Sequence, residues 1–200
     1  YSNPDGITYS DEVVRRFASL KPAAKDFRIM WDNAYMVHAL YGQDSMLDIY
    51  QEAKKANNED IVYMFGSTSK ISFAGAGVAF MAGSKANMDD QRKYMGKQTI
   101  GPDKVSQLMH SLYFTSVEDI YAHMEKHATI LRPKFEEVLR IMDEELSETG
   151  IAKWNKPRGG YFISCFLEEG TAKRTVQLAK EAGVVFTGAG ATYPCKNDPH

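Results

Sequence analysis

Ile61-Val62-Tyr63-Met64-Phe65-Gly66-Ser67-Thr68-Ser69-Lys70 is the stretch that decides the fold. Its first five residues form a short apolar run of strand length, rich in β-branched and aromatic side chains, and its last five are small and polar and end in a lysine. A strand that empties into a polar cluster is the pattern of an open α/β sheet, where ligands bind beyond the carboxyl ends of the strands. Upstream, Phe27-Arg28-Ile29-Met30-Trp31 repeats the pattern and delivers Asp32 at its end. Between the two runs a helical stretch is expected around Ser45 to Lys55, and before them a helix from Asp11 to Leu20, capped at Ser10 and stopped by Pro22. The chain opens on the turn Asn3-Pro4-Asp5-Gly6.

Downstream, Gly75-Ala76-Gly77 leads into Val78 to Met81, which reads as one more buried strand. Strand and helix alternate, so a layered α/β domain with a mostly parallel sheet is expected. From Pro102 the texture changes to long helical patterns: Val105, Leu108, Met109 and Leu112 at helical spacing, then a longer helix from Val117 to Leu146 kinked near Pro133. The stretch Gly160-Tyr161-Phe162-Ile163-Ser164-Cys165-Phe166 and the short Val184-Val185-Phe186 read as strands, with a helix at Ala172 to Glu181 between them. Residues 1–102 are accordingly expected to lie in one, larger domain and residues 103–200 in an interdomain helix and a smaller, incomplete α+β domain.

The composition narrows the class. With 200 residues, 44% hydrophobic and 25% charged, the chain can bury a sizeable core, and its net charge of -2 is spread without a basic face for nucleic acid or a membrane surface. A small-molecule partner is expected. Cys165 and Cys195 lack metal or redox spacing and no run is long enough to span a bilayer, so a reducing cytoplasm is the expected compartment. The first residue is Tyr1 and leads straight into a turn, so the chain reads as cut from a longer one.

Three clusters taken together are specific: Asn-Pro-x-Gly at Asn3 to Gly6, Asp-x-x-Tyr at Asp32 to Tyr35, and Ser-x-Ser-Lys at Ser67 to Lys70. In this order and at these intervals they resemble the C-terminal half of a fold-type I aminotransferase, an enzyme that uses pyridoxal 5'-phosphate, and Lys156 to Phe162 resembles that family's small-domain strand. The likeness is greatest to the divergent aspartate aminotransferase subgroup related to MocR-type proteins. It implies that Lys70 forms the Schiff base and shuttles the substrate proton, a task suited to an amine whose pKa responds to burial. It implies further that Asp32 keeps the pyridine nitrogen protonated and that Tyr35 and Asn3 hydrogen-bond the phenolic oxygen. Ser67 and Ser69 would hold the phosphate. The implied reaction is transamination, with L-aspartate as donor and 2-oxoglutarate as acceptor, in a homodimer.

The family's phosphate arginine, seven or eight residues after the lysine, is replaced by Gly77 or Val78. Either Lys85 or Arg92 substitutes for it, or neutral donors and helix N-termini carry the phosphate. The phosphate loop and ring-stacking aromatic of the family would precede Tyr1, and its carboxylate-binding arginine would follow His200.

Two rival readings come from other classes. A PLP-binding sensor domain of a transcription regulator would share these motifs without turnover. Ser67-Thr68-Ser69-Lys70 also matches the Ser-x-x-Lys of penicillin-binding proteins, but a later Lys-Thr-Gly strand is missing. His123 and His127 stand at i, i+4 without a third ligand and read as solvated helix residues, so no metal is expected.

Overall fold

A computed structural model of the chain describes residues 1–191 and 193–196. Helix α1 (Asp11–Ala18) starts where the Ser10 hydroxyl accepts the Val13 N–H, with Asp11 and Glu12 in the first turn complementing the helix dipole. Strand β1 (Ile29–Asp32) leads through helix α2 (Ile49–Lys55) to strand β2 (Val62–Ser67). The Asp48 carboxylate caps α2 by accepting the Tyr50 and Gln51 N–H groups at 2.8 and 3.2 Å.

β1 and β2 run parallel, with Ile29 opposite Val62 and Asp32 opposite Phe65. Strand β3 (Ala79–Gly83) lies antiparallel on the other side of β2, with Ser67 opposite Ala79. The mostly parallel sheet expected from the sequence is therefore corrected: the described sheet, ordered β1-β2-β3, has one parallel and one antiparallel pairing. Connectivity explains the difference. A parallel pair needs a long crossover, which α2 supplies between β1 and β2, whereas residues 68–78 link β2 to β3 without a helix and turn the chain back on itself.

Side chains alternate across β1, so Ile29 and Trp31 join the core while Met30 and Asp32 are exposed on the other face. That core is Val14 and Ala18 of α1, Ile49 and Ala53 of α2, Ile61, and Val62 of β2. Val14, Ile49 and Val62 are at most 1% exposed, and burying each contributes about 1.5–3 kcal/mol. One face of β1 is thus committed to packing, and the carboxyl ends of the parallel strands β1 and β2, at Asp32 and Ser67, lie at the same end of the sheet.

Three helices follow: α3 (Lys85–Gln98), α4 (Lys104–Tyr113) and α5 (Val117–Leu146), the last with Pro133 inside it. Strands β4 (Ala152–Trp154) and β5 (Cys165–Leu167) pair antiparallel, and helix α6 (Ala172–Glu181) comes after them. The chain divides into two compact units, residues 1–133 with 157–162, and residues 134–156 with 163 onward. The division falls inside α5 at Pro133, beyond the change of texture at Pro102. In the second unit, Asp143 accepts hydrogen bonds from Trp154 Nε1 at 3.1 Å and Lys156 Nζ at 2.7 Å. Among the described residues no helix is long and apolar enough to cross a membrane.

Two expected strands differ. Of Gly160 to Phe166 only Cys165 onward is strand, because Gly160 adopts φ +80° and residues 157–162 belong to the first unit. Val184 to Phe186 is not strand: no described segment pairs with it, and Val185 is 81% exposed.

Candidate active site

Residues from four segments of the first unit meet just beyond the carboxyl ends of β1 and β2. Asp32 closes β1 and is exposed, its Oδ1 accepting the Ala34 N–H at 2.9 Å. The turn that follows carries Tyr35 inward until it is 3% exposed. Burial, then the nearby Asp32 charge, raises the Tyr35 phenol above its usual pKa. Ser67 closes β2, and the loop after it places Lys70 Nζ 5.2 Å from the centre of the Tyr35 ring. Asn3 lies in the N-terminal turn and is exposed.

The loop that carries Lys70 is closed by residues the sequence reading left unassigned. The Ile71 and Ser72 N–H groups both donate to the Thr68 carbonyl at 2.9 Å. Thr68 and Val78 bond each other twice, Thr68 N–H to the Val78 carbonyl at 2.9 Å and Val78 N–H to Thr68 Oγ1 at 2.8 Å. His110 of α4 donates from Nδ1 to the Ser106 carbonyl at 2.7 Å, which in the neutral tautomer leaves Nε2 as an acceptor. The hydroxyls of Thr68 and Ser72 lie at 2.9 and 2.6 Å from that nitrogen. His123 of α5, expected to be solvated, is half-buried and donates from Nε2 to the Ile71 carbonyl at 2.9 Å. His127 beside it is half-buried as well, and burial lowers its pKa.

The missing arginine has a structural counterpart. A Cβ on Gly77 would stand 3.0 Å from both the N and the Oγ of Ser69, and Val78 is bonded to Thr68, so both positions help close the lysine loop. Neither substitute cation is free: Lys85 and Arg92 both pair with Asp89 on the exposed surface of α3.

The segment Pro157 to Phe162 enters the same region. The Gly6 carbonyl accepts the Arg158 N–H at 2.9 Å, the Leu40 N–H donates to the Arg158 carbonyl at 2.9 Å, and the Gly160 N–H donates to the His38 carbonyl at 2.9 Å. Arg158 forks onto Asp44 through Nε and Nη2, at 2.8 Å for the latter. This seats Tyr161 against Tyr35, ring centres 5.6 Å apart and edge to face.

Hydroxyls in the loop are sorted by task. Thr68 and Ser72 are committed to His110, whereas the side chains of Asn3, Ser67 and Ser69 and the Lys70 amine make no hydrogen bond to other described residues. Ser67 Oγ and Lys70 Nζ are not bonded to each other, although activation of a serine nucleophile by a lysine calls for that bond. The Tyr35 phenol thus has the Lys70 amine over its ring and the Asp32 carboxylate nearby, and the adjoining lysine loop carries the uncommitted hydroxyls of Ser67 and Ser69.

Known proteins resemble the chain in sequence and in fold. A family model described as aspartate amino-transferase matches residues 1–200. The chain is 46% identical over 200 residues to an aspartate aminotransferase of Corynebacterium glutamicum, covering 100% of this chain and 46% of that protein. The crystal structure of an aspartate transaminase from C. glutamicum superposes with a TM-score of 0.94 at 47% identity, over 99% of this chain and 47% of that one. A Pyrococcus horikoshii kynurenine aminotransferase, at 24% identity and a TM-score of 0.76 over 92% of this chain and 44% of that one, shares the fold. The chain spans about half the length of the relatives it matches. On its motifs, its fold and these likenesses, the chain belongs to the aspartate aminotransferase family and carries part of the fold-type I architecture.

Proposed function

We propose that these 200 residues are the lysine-bearing part of a pyridoxal phosphate-dependent aminotransferase that acts on a dicarboxylic amino acid. One observation carries the reading: Lys70 Nζ lies over the ring of Tyr35 at 5.2 Å, the same phenol that feels the Asp32 charge, and the amine makes no hydrogen bond to other described residues. The donor set fits the cofactor. A primary amine can bond its carbonyl carbon, a carboxylate can face its ring nitrogen, a phenol and an amide can face its phenolic oxygen, and free hydroxyls can face its phosphate.

Pyridoxal phosphate, when bound, supplies a conjugated ring that draws electron density from the bond being broken at the substrate α-carbon. Lys70 would hold it through its amine and would move a proton at Nζ to and from that carbon. Asp32 holds a proton at the ring nitrogen through its carboxylate. Tyr35 and Asn3 orient the ring through the phenolic oxygen. Ser67 and Ser69 hold the phosphate with neutral hydroxyls, in keeping with Gly77 and Val78 being used to close the loop and with Lys85 and Arg92 being paired to Asp89.

The names of the C. glutamicum relatives support L-aspartate as donor; 2-oxoglutarate as acceptor rests on the family resemblance of the motifs, and we take the working protein to be a longer chain acting as a homodimer. A panel of amino donors assayed on the full-length protein tests the substrate. Aspartate is expected to give the highest kcat/KM, and an aromatic or branched-chain donor that exceeds it would overturn the assignment.

A further inference from the structure

Lys70 poses a positioning problem. Its side chain is a long flexible stem on an exposed loop, yet its work needs the amine at one point. Two side chains from distant segments meet its main chain. His38 Nε2 lies 3.1 Å from the Lys70 carbonyl oxygen, and the Tyr161 hydroxyl donates to the same oxygen at 2.9 Å. A carbonyl only accepts, so His38 carries its proton on Nε2, and the two donors together match the oxygen's two lone pairs.

The same two rings also grip Tyr35. His38 and Tyr161 are edge to face at 5.1 Å, Tyr35 and His38 at 5.2 Å, and Tyr35 and Tyr161 at 5.6 Å. The three rings close a triangle, so the group over which the Lys70 amine lies is held by the pair that holds the Lys70 carbonyl. His38 is 3% exposed, and its Nδ1 is buried with no hydrogen-bond partner. A histidine serving only to fill the core has no reason to bury an unpaired nitrogen at a cost. Its orientation is explained by what Nε2 does.

We propose that His38 and Tyr161 are positioning residues for Lys70, acting as a two-donor clamp on its main-chain carbonyl while fixing the Tyr35 ring under its amine. The inference rests on the assignment of Lys70 under Proposed function. Both donors persist over a wide pH range. Burial drives His38 down to about 4, which keeps the ring neutral, and burial followed by the nearby Tyr35 raises the Tyr161 phenol. The clamp also gives residues 157–162 a purpose: their bonds to Gly6 and to residues 38–40 deliver the Tyr161 hydroxyl to an oxygen 91 positions away in sequence.

The test uses the full-length protein loaded with pyridoxal phosphate and three variants. Tyr161→Phe removes one oxygen and keeps the ring, His38→Phe keeps a ring without a donor, and His38→Gln restores a side-chain N–H. Three quantities are read: kcat and KM separately, the pH titration of the bound chromophore, and the site of borohydride-fixed cofactor. Each single donor loss is expected to lower kcat about five-fold, the worth of one neutral hydrogen bond, with KM changed far less. The chromophore's titration midpoint should shift in both phenylalanine variants, and His38→Gln should recover most of the loss seen in His38→Phe. Wild-type kcat and midpoint in both phenylalanine variants, or a glutamine variant no better than His38→Phe, would overturn the clamp while label on Lys70 left the functional reading standing. Label on another lysine in the wild-type protein would overturn both.

Discussion

Replacing Gly6 with alanine tests how the N-terminal turn is seated. Gly6 is buried at φ +64°, a conformation that costs an L side chain about 1–2 kcal/mol. Its added Cβ would stand 2.4 Å from the Pro157 Cβ and 2.5 Å from the Gly159 carbonyl oxygen, about 1 Å inside ordinary contact. Neither neighbour can swing aside, because one is a proline ring less than 2% exposed and the other is main chain. Residues 157–159 must therefore retreat, which stretches the Arg158 N–H bond to the Gly6 carbonyl now at 2.9 Å. Overpacking of this kind costs about 1–3 kcal/mol and a lost hydrogen bond about 1 kcal/mol, although retreat relieves part of the overlap. A net loss of about 2–4 kcal/mol is expected, read as a lower urea midpoint for full-length Gly6→Ala at unchanged slope. Tyr161 lies four residues beyond Pro157, so the fraction of cofactor fixed on Lys70 should fall as well. A loss below about 1 kcal/mol, with wild-type fixation, would show that residues 157–159 are not docked on Gly6 as described.

Asp32→Asn in the full-length protein should lower turnover about a hundred-fold or more while weakening cofactor binding much less, because it removes a charge and keeps the shape; steady-state kinetics beside a cofactor titration measure both. His110→Phe removes the acceptor shared by Thr68 and Ser72 and should cost about 1–3 kcal/mol by denaturant unfolding. His38, near 6.5 in the unfolded chain and about 4 when buried, binds a proton more readily unfolded than folded. Its contribution is therefore fully present above about pH 6.5 and is lost as pH falls toward 4, amounting to about 2 kcal/mol between pH 7 and 5. Urea midpoints at those two pH values, compared between wild type and His38→Gln, should show a shallower fall in the variant.

The fold and the chemistry were legible in the sequence to different depths. Apolar runs ending in polar clusters located β1 and β2 and put Asp32 and Lys70 at neighbouring strand ends, because that pattern is local in the chain. The antiparallel β3 was not legible, since pairing direction depends on a connection whose path no period reveals. Helix α3 escaped notice for another reason: its surface is held by ion pairs such as Arg92–Asp89 at 2.9 Å, not by an apolar stripe. His38, His110 and Tyr161 were missed and His123 was misread as solvated, because their partners lie 32 to 91 residues away, a separation that no local spacing reveals. Gly77 offered the best clue. Glycine where an arginine was expected signals close approach of the backbone, here to Ser69.

Covalent fixation shows which lysine carries the cofactor, and Lys70 is the one expected. The full-length protein loaded with pyridoxal phosphate would be reduced with borohydride, digested and mapped. One pyridoxyl group is expected on the peptide containing Ser67-Thr68-Ser69-Lys70, placed on Lys70, and none there after Lys70→Ala. A pyridoxyl group on any other lysine, with Lys70 unmodified, would contradict it.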